Sequence, residues 1–318
     1  MSHPSPTSPR TQALRLAFNG LRILSPDLAL RGAERVFSSP RQHRESETER
    51  TARHKGTTFH FKSNGLRLRG YSWGDGPAVL CLHGWEGRGT QFHAFIEPLA
   101  NAGFSTIAFD QPGHGRSEGI RSGPADWAEA IQDLIAGIGP IQGVVAHSLG
   151  AVGMAIAMDH GLHVPRAVLL APPANPDPYY DRVLSLFGFP ETDHPAAFAA
   201  YASGTGLPPE RIRLHSLAPR LAAPMLVIHD RLDREVPWSD GAAVASALPM
   251  GRLLTTDGLG HRRILRDGAV IEQAVTFLQQ APTLETTPFH GEGPRSLERQ
   301  LFDRDLRMDE CAHQLGFT

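Results

Sequence analysis

The 318-residue sequence has little cysteine, little lysine and no long apolar run. Two cysteines, Cys81 and Cys311, are too few for a disulfide framework, so we expect a reducing, cytoplasmic location. No apolar stretch approaches the roughly 18 residues of a membrane-spanning helix, and the first residues lack the basic and apolar regions of a secretory signal. The basic residues are 29 arginines and only two lysines, which is typical of a GC-rich bacterial genome.

The composition predicts a globular protein with a sizeable core, because 41% of the residues are hydrophobic and 20% are charged. The net charge of -2 conceals an asymmetry along the chain. Residues 1–56 carry ten Lys/Arg and five Asp/Glu, whereas the rest carries 21 and 28. A basic N-terminal segment on an acidic body favours internal docking or attraction to anionic surfaces, and it gives no case for nucleic-acid binding.

Residues 143–151 (GVVAHSLGA) predict a strand, a sharp turn and a helix, with Ser148 at the turn. A serine in such a turn has a strained backbone, so the residues two before and two after it must be small. Ala146 and Gly150 occupy these positions, one methyl group away from the G-x-S-x-G pattern. This motif makes Ser148 a candidate nucleophile.

The domain is predicted to open with a hairpin, because two alternating segments flank Asn64-Gly65. Strands and helices then alternate, which predicts βαβ crossovers and a mostly parallel sheet with helices on both faces. Strands are expected near 77–82, 105–109, 141–146, 166–171, 224–229 and 252–255, and helices near 90–102, 124–138, 149–160, 238–248 and 267–280.

Several side chains that could take part in catalysis directly follow these strands. Residues 83–85 (HGW), Ser148, Asp233 and His261 each come just after a predicted strand, so they should meet at the carboxyl edge of the sheet. A serine nucleophile needs a base to take its proton, a carboxylate to orient that base, and N–H donors for the oxyanion. Asp230 is an alternative carboxylate in the same loop as Asp233.

Four motifs together resemble the α/β-hydrolase superfamily over roughly residues 57–281. They are HGW at 83–85, DQPGHGRS at 110–117, AHSLG at 146–150, and DREVP at 233–237 followed by GH at 260–261. The resemblance implies an α/β-hydrolase fold and a serine hydrolase that needs no cofactor. It also implies Ser148 as nucleophile, His261 as general base and then acid, and Asp233 as its carboxylate. The backbone N–H groups of Trp85 and Leu149 would then form the oxyanion hole.

About fifty residues without a sheet pattern separate two of the predicted strands. So long a structureless loop is improbable in a compact domain, so residues 172–220 are expected to form a small helical lid. Its aromatic residues suggest an apolar pocket above Ser148, and we single out Trp85 and Tyr179 as candidate substrate-binding residues.

The two ends of the chain lie outside this domain. Apolar residues at helical spacing, among them Phe18 and Leu21, predict a helix that breaks at Ser25-Pro26 and resumes to Phe37. One interpretation is a helical pair packed on the catalytic domain, and the other is an amphipathic element on a membrane surface. Residues 41–55 are predicted to form a charged linker or a solvated face, and residues 282–318 a tail with a short helix or disorder.

The expected reaction is hydrolysis of a small carboxylic ester with an apolar acyl group. Thioester and amide hydrolysis use the same residues, and a catalytically silent binding protein is an alternative from another class. The sequence lacks an H-E-x-x-H or H-x-H spacing, a P-loop and a dinucleotide fingerprint, so no metal or nucleotide cofactor is expected.

Overall fold

The computed structural model describes residues 9–280. Its centre is one eight-stranded sheet in the order β1-β2-β4-β3-β5-β6-β7-β8. Strand β2 runs antiparallel to both β1 and β4, and all other neighbours are parallel. The strands are β1 (Thr57–Ser63), β2 (Leu66–Trp73), β3 (Ala78–Leu82), β4 (Ser105–Phe109), β5 (Gly143–His147), β6 (Ala167–Leu170), β7 (Met225–Asp230) and β8 (Gly251–Thr256). The predicted fold class is confirmed.

Twelve α-helices accompany this sheet in the described part of the chain. They are α1 (Pro9–Leu24), α2 (Pro26–Phe37), α3 (Glu47–Lys55), α4 (His93–Asn101), α5 (Pro124–Ile138), α6 (Leu149–Asp159), α7 (Asp177–Leu186), α8 (His194–Gly204), α9 (Leu214–Leu217), α10 (Trp238–Ala247), α11 (Gly260–Arg263) and α12 (Gly268–Gln279).

The central strands are apolar along their whole length because helices cover both faces of the sheet. In β3, Leu80 and Leu82 join the core beneath α5 and α6, whereas Val79 and Cys81 join the core beneath α4 and α12. All four side chains are fully buried. This two-sided burial explains why the parallel strands appear in the sequence as continuous apolar runs.

The segment between β6 and β7 contains α7, α8 and α9 together with short 3-10 turns. Helices α1 and α2 contact this helical insertion through a third hydrophobic cluster, separate from the two cores on the sheet. The ring of Phe18 stacks on that of Phe187, with centroids 4.3 Å apart. The buried members of the cluster are Phe18, Ala29, Ala33, Tyr180, Leu184, Phe187, Phe189, Ala197, Phe198 and Tyr201. The N-terminal helices therefore pack on the insertion.

Of the two interpretations of residues 41–55, the linker is wrong for residues 47–55, because they form helix α3, most of whose charged side chains are exposed. Ser46 begins this helix with a capping box: its hydroxyl accepts from Glu49 N–H at 3.3 Å, and its own N–H donates to Glu49 Oε2 at 2.7 Å. A long-range contact also stabilises helix α3, because Trp73 Nε1 donates to the Ala52 carbonyl at 2.8 Å. The capping pattern S-x-x-E was present in the sequence and signalled this helix.

No helix within residues 9–280 has the length and apolar character to cross a membrane. The predictions for residues 282–318, including Cys311, lie outside the described residues.

Candidate active site

The turn between β5 and α6 holds Ser148 in a strained backbone conformation, with φ 52° and ψ -126°. Its N–H donates to the Leu170 carbonyl at 2.9 Å, which anchors the turn to β6. A Cβ at Gly150 would lie 2.6 Å from the Leu82 carbonyl oxygen, so this position requires glycine. At Gly84 a Cβ would lie 2.8 Å from the Ser148 Cβ, so the loop after β3 passes directly beside the serine.

The loop after β7 brings Asp233 to the ring of His261. His261 Nδ1 donates to Asp233 Oδ2 at 2.8 Å, and the other carboxylate oxygen accepts from the N–H groups of Glu235 and Val236 at 2.8 and 2.9 Å. His229 Nε2 lies 3.4 Å from Asp233 Oδ2. Burial by itself would raise the pKa of Asp233, but the contacts with His229 and His261 and these N–H groups hold it well below its ordinary value. The carboxylate is therefore ionised at neutral pH.

Asp230, the alternative acid, binds a different set of groups. Its carboxylate accepts from Leu232 N–H at 3.0 Å, from Thr256 Oγ1 at 2.8 Å and from Leu259 N–H at 2.9 Å. Burial tends to raise the pKa of Asp230, but these donors and the N–H of Gly260 bring it below its ordinary value. Asp230 thus fastens the loop that carries His261, and no hydrogen bond joins it to the His261 ring.

His147, the last residue of β5, contacts His261. Its Nε2 donates to the His261 carbonyl at 2.8 Å, and the two ring centroids are 4.7 Å apart. Burial and the neighbouring His261 ring lower the pKa of His147 to about 3. The His147 ring therefore stays neutral at physiological pH, and it positions the backbone of His261.

His83 and His114 are tied into loops and do not line the cleft that contains Ser148. His83 Nδ1 donates to the Gly84 carbonyl at 2.7 Å, and its Nε2 accepts from Gln111 N–H at 2.9 Å, which links the loops after β3 and β4. His114 Nδ1 donates to the Pro112 carbonyl at 2.9 Å. Both are structural histidines in this fold.

The N–H groups of Trp85 and Leu149 lie beside Ser148, one in the loop after β3 and one at the first position of α6. No described residue accepts a backbone hydrogen bond from either group outside helices and strands. At the N-terminus of a helix the peptide dipoles also favour negative charge. Both groups are therefore without a backbone acceptor among the described residues, and their role as oxyanion donors stays a prediction.

A cleft of about 520 Å³ joins these elements and includes Ser148, His261, Trp85 and Tyr179 in its walls. The Trp85 ring stacks on Trp127 and Phe37, both with centroids 6.4 Å away. The Tyr179 hydroxyl is buried without a hydrogen-bond partner among the described residues. The structure thus gathers every predicted site residue at one edge of the sheet, while their catalytic and binding roles stay predictions.

The N-terminal segment also reaches this cleft, which sequence reasoning missed. Glu86, beside Trp85, has a left-handed backbone with φ 56°. Its carboxylate contacts His43 Nε2 at 2.9 Å and accepts from Arg41 N–H at 3.2 Å. Arg88 donates to the His43 carbonyl from the other side at 2.5 Å. No local sequence signal connects residues more than forty positions apart.

Comparison with known proteins supports the fold. A family model described as the alpha/beta hydrolase family matches residues 79–274. A non-heme chloroperoxidase of Kitasatospora aureofaciens is 32% identical over 136 residues, which are 38% of this chain and 48% of that protein. A pimeloyl-acyl-carrier-protein methyl ester esterase of Chromobacterium violaceum is 40% identical over 80 residues, which are 25% of this chain and 30% of that protein. The chain thus spans at most about half the length of these curated relatives.

Solved structures share the architecture at low sequence identity. An esterase from Rhodococcus, RhEst1, superposes with a TM-score of 0.54 at 21% identity and covers 71% of this chain and 100% of that one. A membrane phospholipase A has a TM-score of 0.56 at 16% identity and covers 84% of this chain and 95% of that one. At these identities the likeness supports the fold alone.

Proposed function

This chain belongs to the alpha/beta hydrolase family, and from this premise we propose that it is a serine hydrolase that cleaves carboxylic esters. The observation that carries the proposal is the 2.8 Å hydrogen bond from His261 Nδ1 to Asp233, in a cleft that also contains the strained Ser148. A neutral imidazole with its Nδ1 proton held in this way leaves Nε2 free to accept a proton.

The proposed reaction has two steps. Ser148 Oγ attacks the carbonyl carbon while His261 Nε2 takes the hydroxyl proton, and the resulting oxyanion accepts from the N–H groups of Trp85 and Leu149. Collapse of this intermediate breaks the ester bond, and the alcohol leaves with the proton from His261. A water molecule then attacks the acyl-enzyme, again giving its proton to His261, and Ser148 is regenerated with release of the acid. The ionised Asp233 stabilises the imidazolium that forms in each step.

A carboxylic ester is the substrate class that we propose first, because it is the acyl bond most easily cleaved by these groups. One relative is a methyl ester esterase by name, which supports this choice. Thioesters and amides are alternatives that use the same residues. Trp85, Val236 and Leu265 supply apolar surface in the cleft, which suits an apolar part of the substrate.

Residues 57–281 form the hydrolytic domain in this proposal, with the helical insertion within 172–220 as a lid over the cleft. Tyr179, at the first turn of α7, brings the insertion into the wall of the cleft. Residues 1–56 are an accessory segment in this proposal, and its helices α1 and α2 contact the insertion through the hydrophobic cluster around Phe18.

The test is hydrolysis of a series of 4-nitrophenyl esters with short to long acyl chains, with purified Ser148→Ala as the blank. We expect serine-dependent turnover, together with labelling of wild-type protein by a fluorophosphonate and no labelling of the variant. Labelling without turnover of any ester would favour a thioester or amide substrate. Absence of both would favour a silent binding protein and overturn the proposal.

We also propose peripheral membrane contact through α1, and one observation favours it. Helix α1 has a second apolar stripe that faces solvent, at positions 13, 16, 17, 20, 23 and 24. Leu16, Ile23 and Leu24 are 73%, 83% and 85% exposed. Arg15 on α1 and Arg31 and Arg35 on α2 are exposed as well, and such cations attract anionic lipid headgroups.

A further inference from the structure

The cleft around Ser148 is rich in positive charge. Six arginines line it, against three glutamates. Each glutamate already has a partner within the protein: Glu86 contacts His43, Glu235 accepts from Arg262, and Glu49 accepts from the N–H of Ser46. With six arginines and three glutamates, the lining has an excess of three positive charges.

Four of the six arginines have no ion-pair or hydrogen-bond partner for their side chains in the described part of the chain. Within residues 9–280, no carboxylate lies within 4 Å of the guanidinium groups of Arg44, Arg182, Arg234 and Arg266, and no hydrogen bond is formed by their side chains. They come from four separate parts of the chain, and the fold gathers them at the mouth of one cleft. Walls of one charge sign concentrate ligands of the opposite sign in such a cleft.

Tyr179 and Arg182 lie three residues apart on α7, so they share a face of that helix, and both line the cleft. The Tyr179 hydroxyl is buried and has no partner among the described residues. Burial and the nearby carboxylates of Asp240 and Asp233 raise the pKa of this hydroxyl, so it is a donor at neutral pH, and Arg182 offsets part of that negative charge. Arg234 also lines the cleft and directly follows Asp233, the residue bound to His261.

We propose that the ester substrate of this site carries an anionic group, a carboxylate or a phosphate, which Arg182, Arg234 and the Tyr179 hydroxyl bind. This inference rests on the proposed ester hydrolysis and specifies its substrate class. An entirely apolar ester would leave the buried hydroxyl without an acceptor and the arginines without a counter-charge. Arg44 and Arg266 attract the same group from the rim, while the apolar residues of the cleft contact the rest of the molecule.

The substrates for the test are two 4-nitrophenyl esters of nearly equal size. One is the monoester of glutaric acid, with a free carboxylate, and the other is its neutral methyl ester. We expect the wild type to have a kcat/KM at least about tenfold higher for the acid than for the neutral ester. Because the four arginines are exposed, this preference should shrink between 0.05 and 1 M NaCl, as the Debye length falls to about 3 Å.

Variants assign the preference to named residues. Arg182→Gln and Arg234→Gln should each lower the acid-to-neutral ratio of kcat/KM by about threefold to tenfold, mainly through KM. The matched control is Arg252→Gln, because Arg252 is an exposed arginine on β8, away from this cleft. An equal effect of the control, or a wild-type ratio near one, would overturn the inference.

A binding measurement keeps this inference separate from the proposed function. Calorimetry on Ser148→Ala should show binding of glutarate or of inorganic phosphate that Arg182→Gln weakens. The tighter of the two ligands distinguishes a carboxylate from a phosphate substrate. If neither ester is hydrolysed but this binding is present, the ester proposal fails and the anion site stands. If esters are hydrolysed but neither anion binds, the anion site is wrong.

Discussion

The carboxylate of Glu86 contacts the imidazole of His43 at 2.9 Å, which joins the N-terminal segment to the loop beside Ser148. Glu86 directly follows Trp85, whose N–H is proposed to bind the oxyanion. Its left-handed backbone, at φ 56°, is unfavourable for a residue with a side chain, and it lies in a turn closed by the hydrogen bond from Gly87 N–H to the Gly84 carbonyl at 3.0 Å. The contact with His43 adds a long-range tie to this turn, so we expect it to help hold the Trp85 N–H in place.

Removal of this support should reduce catalysis more than substrate binding. We expect Glu86→Ala to lower kcat by about tenfold to a hundredfold, because a displaced N–H donor stabilises the oxyanion less. Steady-state kinetics on a neutral 4-nitrophenyl ester measures this. Glu97→Ala is the matched control, since Glu97 is exposed on α4. A rise in KM with kcat unchanged would instead assign Glu86 to substrate binding.

The two carboxylates after β7 should respond differently to the same substitution. Asp233→Asn removes the charge that stabilises the imidazolium and disturbs the His261 tautomer, so kcat should fall by about 10³-fold to 10⁴-fold, and weakening of the hydrogen bonds to Asp233 should also lower the melting temperature. Asp230→Asn weakens three hydrogen bonds of the loop, so it should lower the free energy of unfolding by about 1–3 kcal/mol and retain much more activity. The reverse pattern would make Asp230 the catalytic acid.

The folded protein contains buried histidines that stay neutral, so we expect it to lose stability in mild acid. Burial lowers the pKa of His114 to about 4, whereas an unfolded histidine titrates near 6.5. Between these pH values the unfolded chain takes up a proton that the folded chain does not, so the free energy of unfolding falls as the pH falls. The contribution of His114 is at most about 1.4 kcal/mol per pH unit.

Denaturant unfolding at several pH values between 7 and 4.5 measures this slope. His114→Gln should make the slope shallower by up to one proton, although the substitution also costs stability at pH 7. His163→Gln is the control, because His163 is exposed and should leave the slope as in the wild type. If His114→Gln retains the full slope, the acid sensitivity must arise from other groups.

The sheet was predictable from the sequence because its strands are buried on both faces. Each predicted strand of the parallel part lies within two residues of the observed one, since the apolar runs begin and end where the helices cover the sheet. The turn at Ser148 was predictable for a steric reason, because only a small residue fits at Gly150. These constraints are local, so residues that are close together in the sequence reveal them.

The parts that the sequence left open depend on contacts between distant segments. Asp230 and Asp233 are three residues apart and chemically equal, so spacing alone cannot separate them. Asp230 pairs with Thr256 in the β7–β8 register, which directs its carboxylate into the loop and leaves Asp233 next to His261. The contact of His43 with Glu86 likewise has no local pattern.

Helix α1 has two apolar faces, whereas the sequence pattern predicted a single apolar stripe. Phe18 and Leu21 face the insertion, whereas Leu16, Ile23 and Leu24 face solvent. Transfer of exposed apolar side chains to a lipid interface is favourable, and the nearby arginines add attraction to anionic headgroups. The same contact would place the insertion, which α1 and α2 cover, near the membrane surface.

Leu16→Ser combined with Ile23→Ser should therefore abolish binding to vesicles that contain anionic lipid, because it removes the apolar contact and leaves the packing of Phe18 intact. Cosedimentation with vesicles of phosphatidylcholine and phosphatidylglycerol measures the bound fraction. Ile120→Ser is the control, since Ile120 is 73% exposed, as Leu16 is, but lies in a loop outside α1. Equal binding by the wild type and the double variant would exclude α1 as the membrane contact. If the wild type is a dimer and the double variant alone is a monomer, a second copy of the chain covers this face instead.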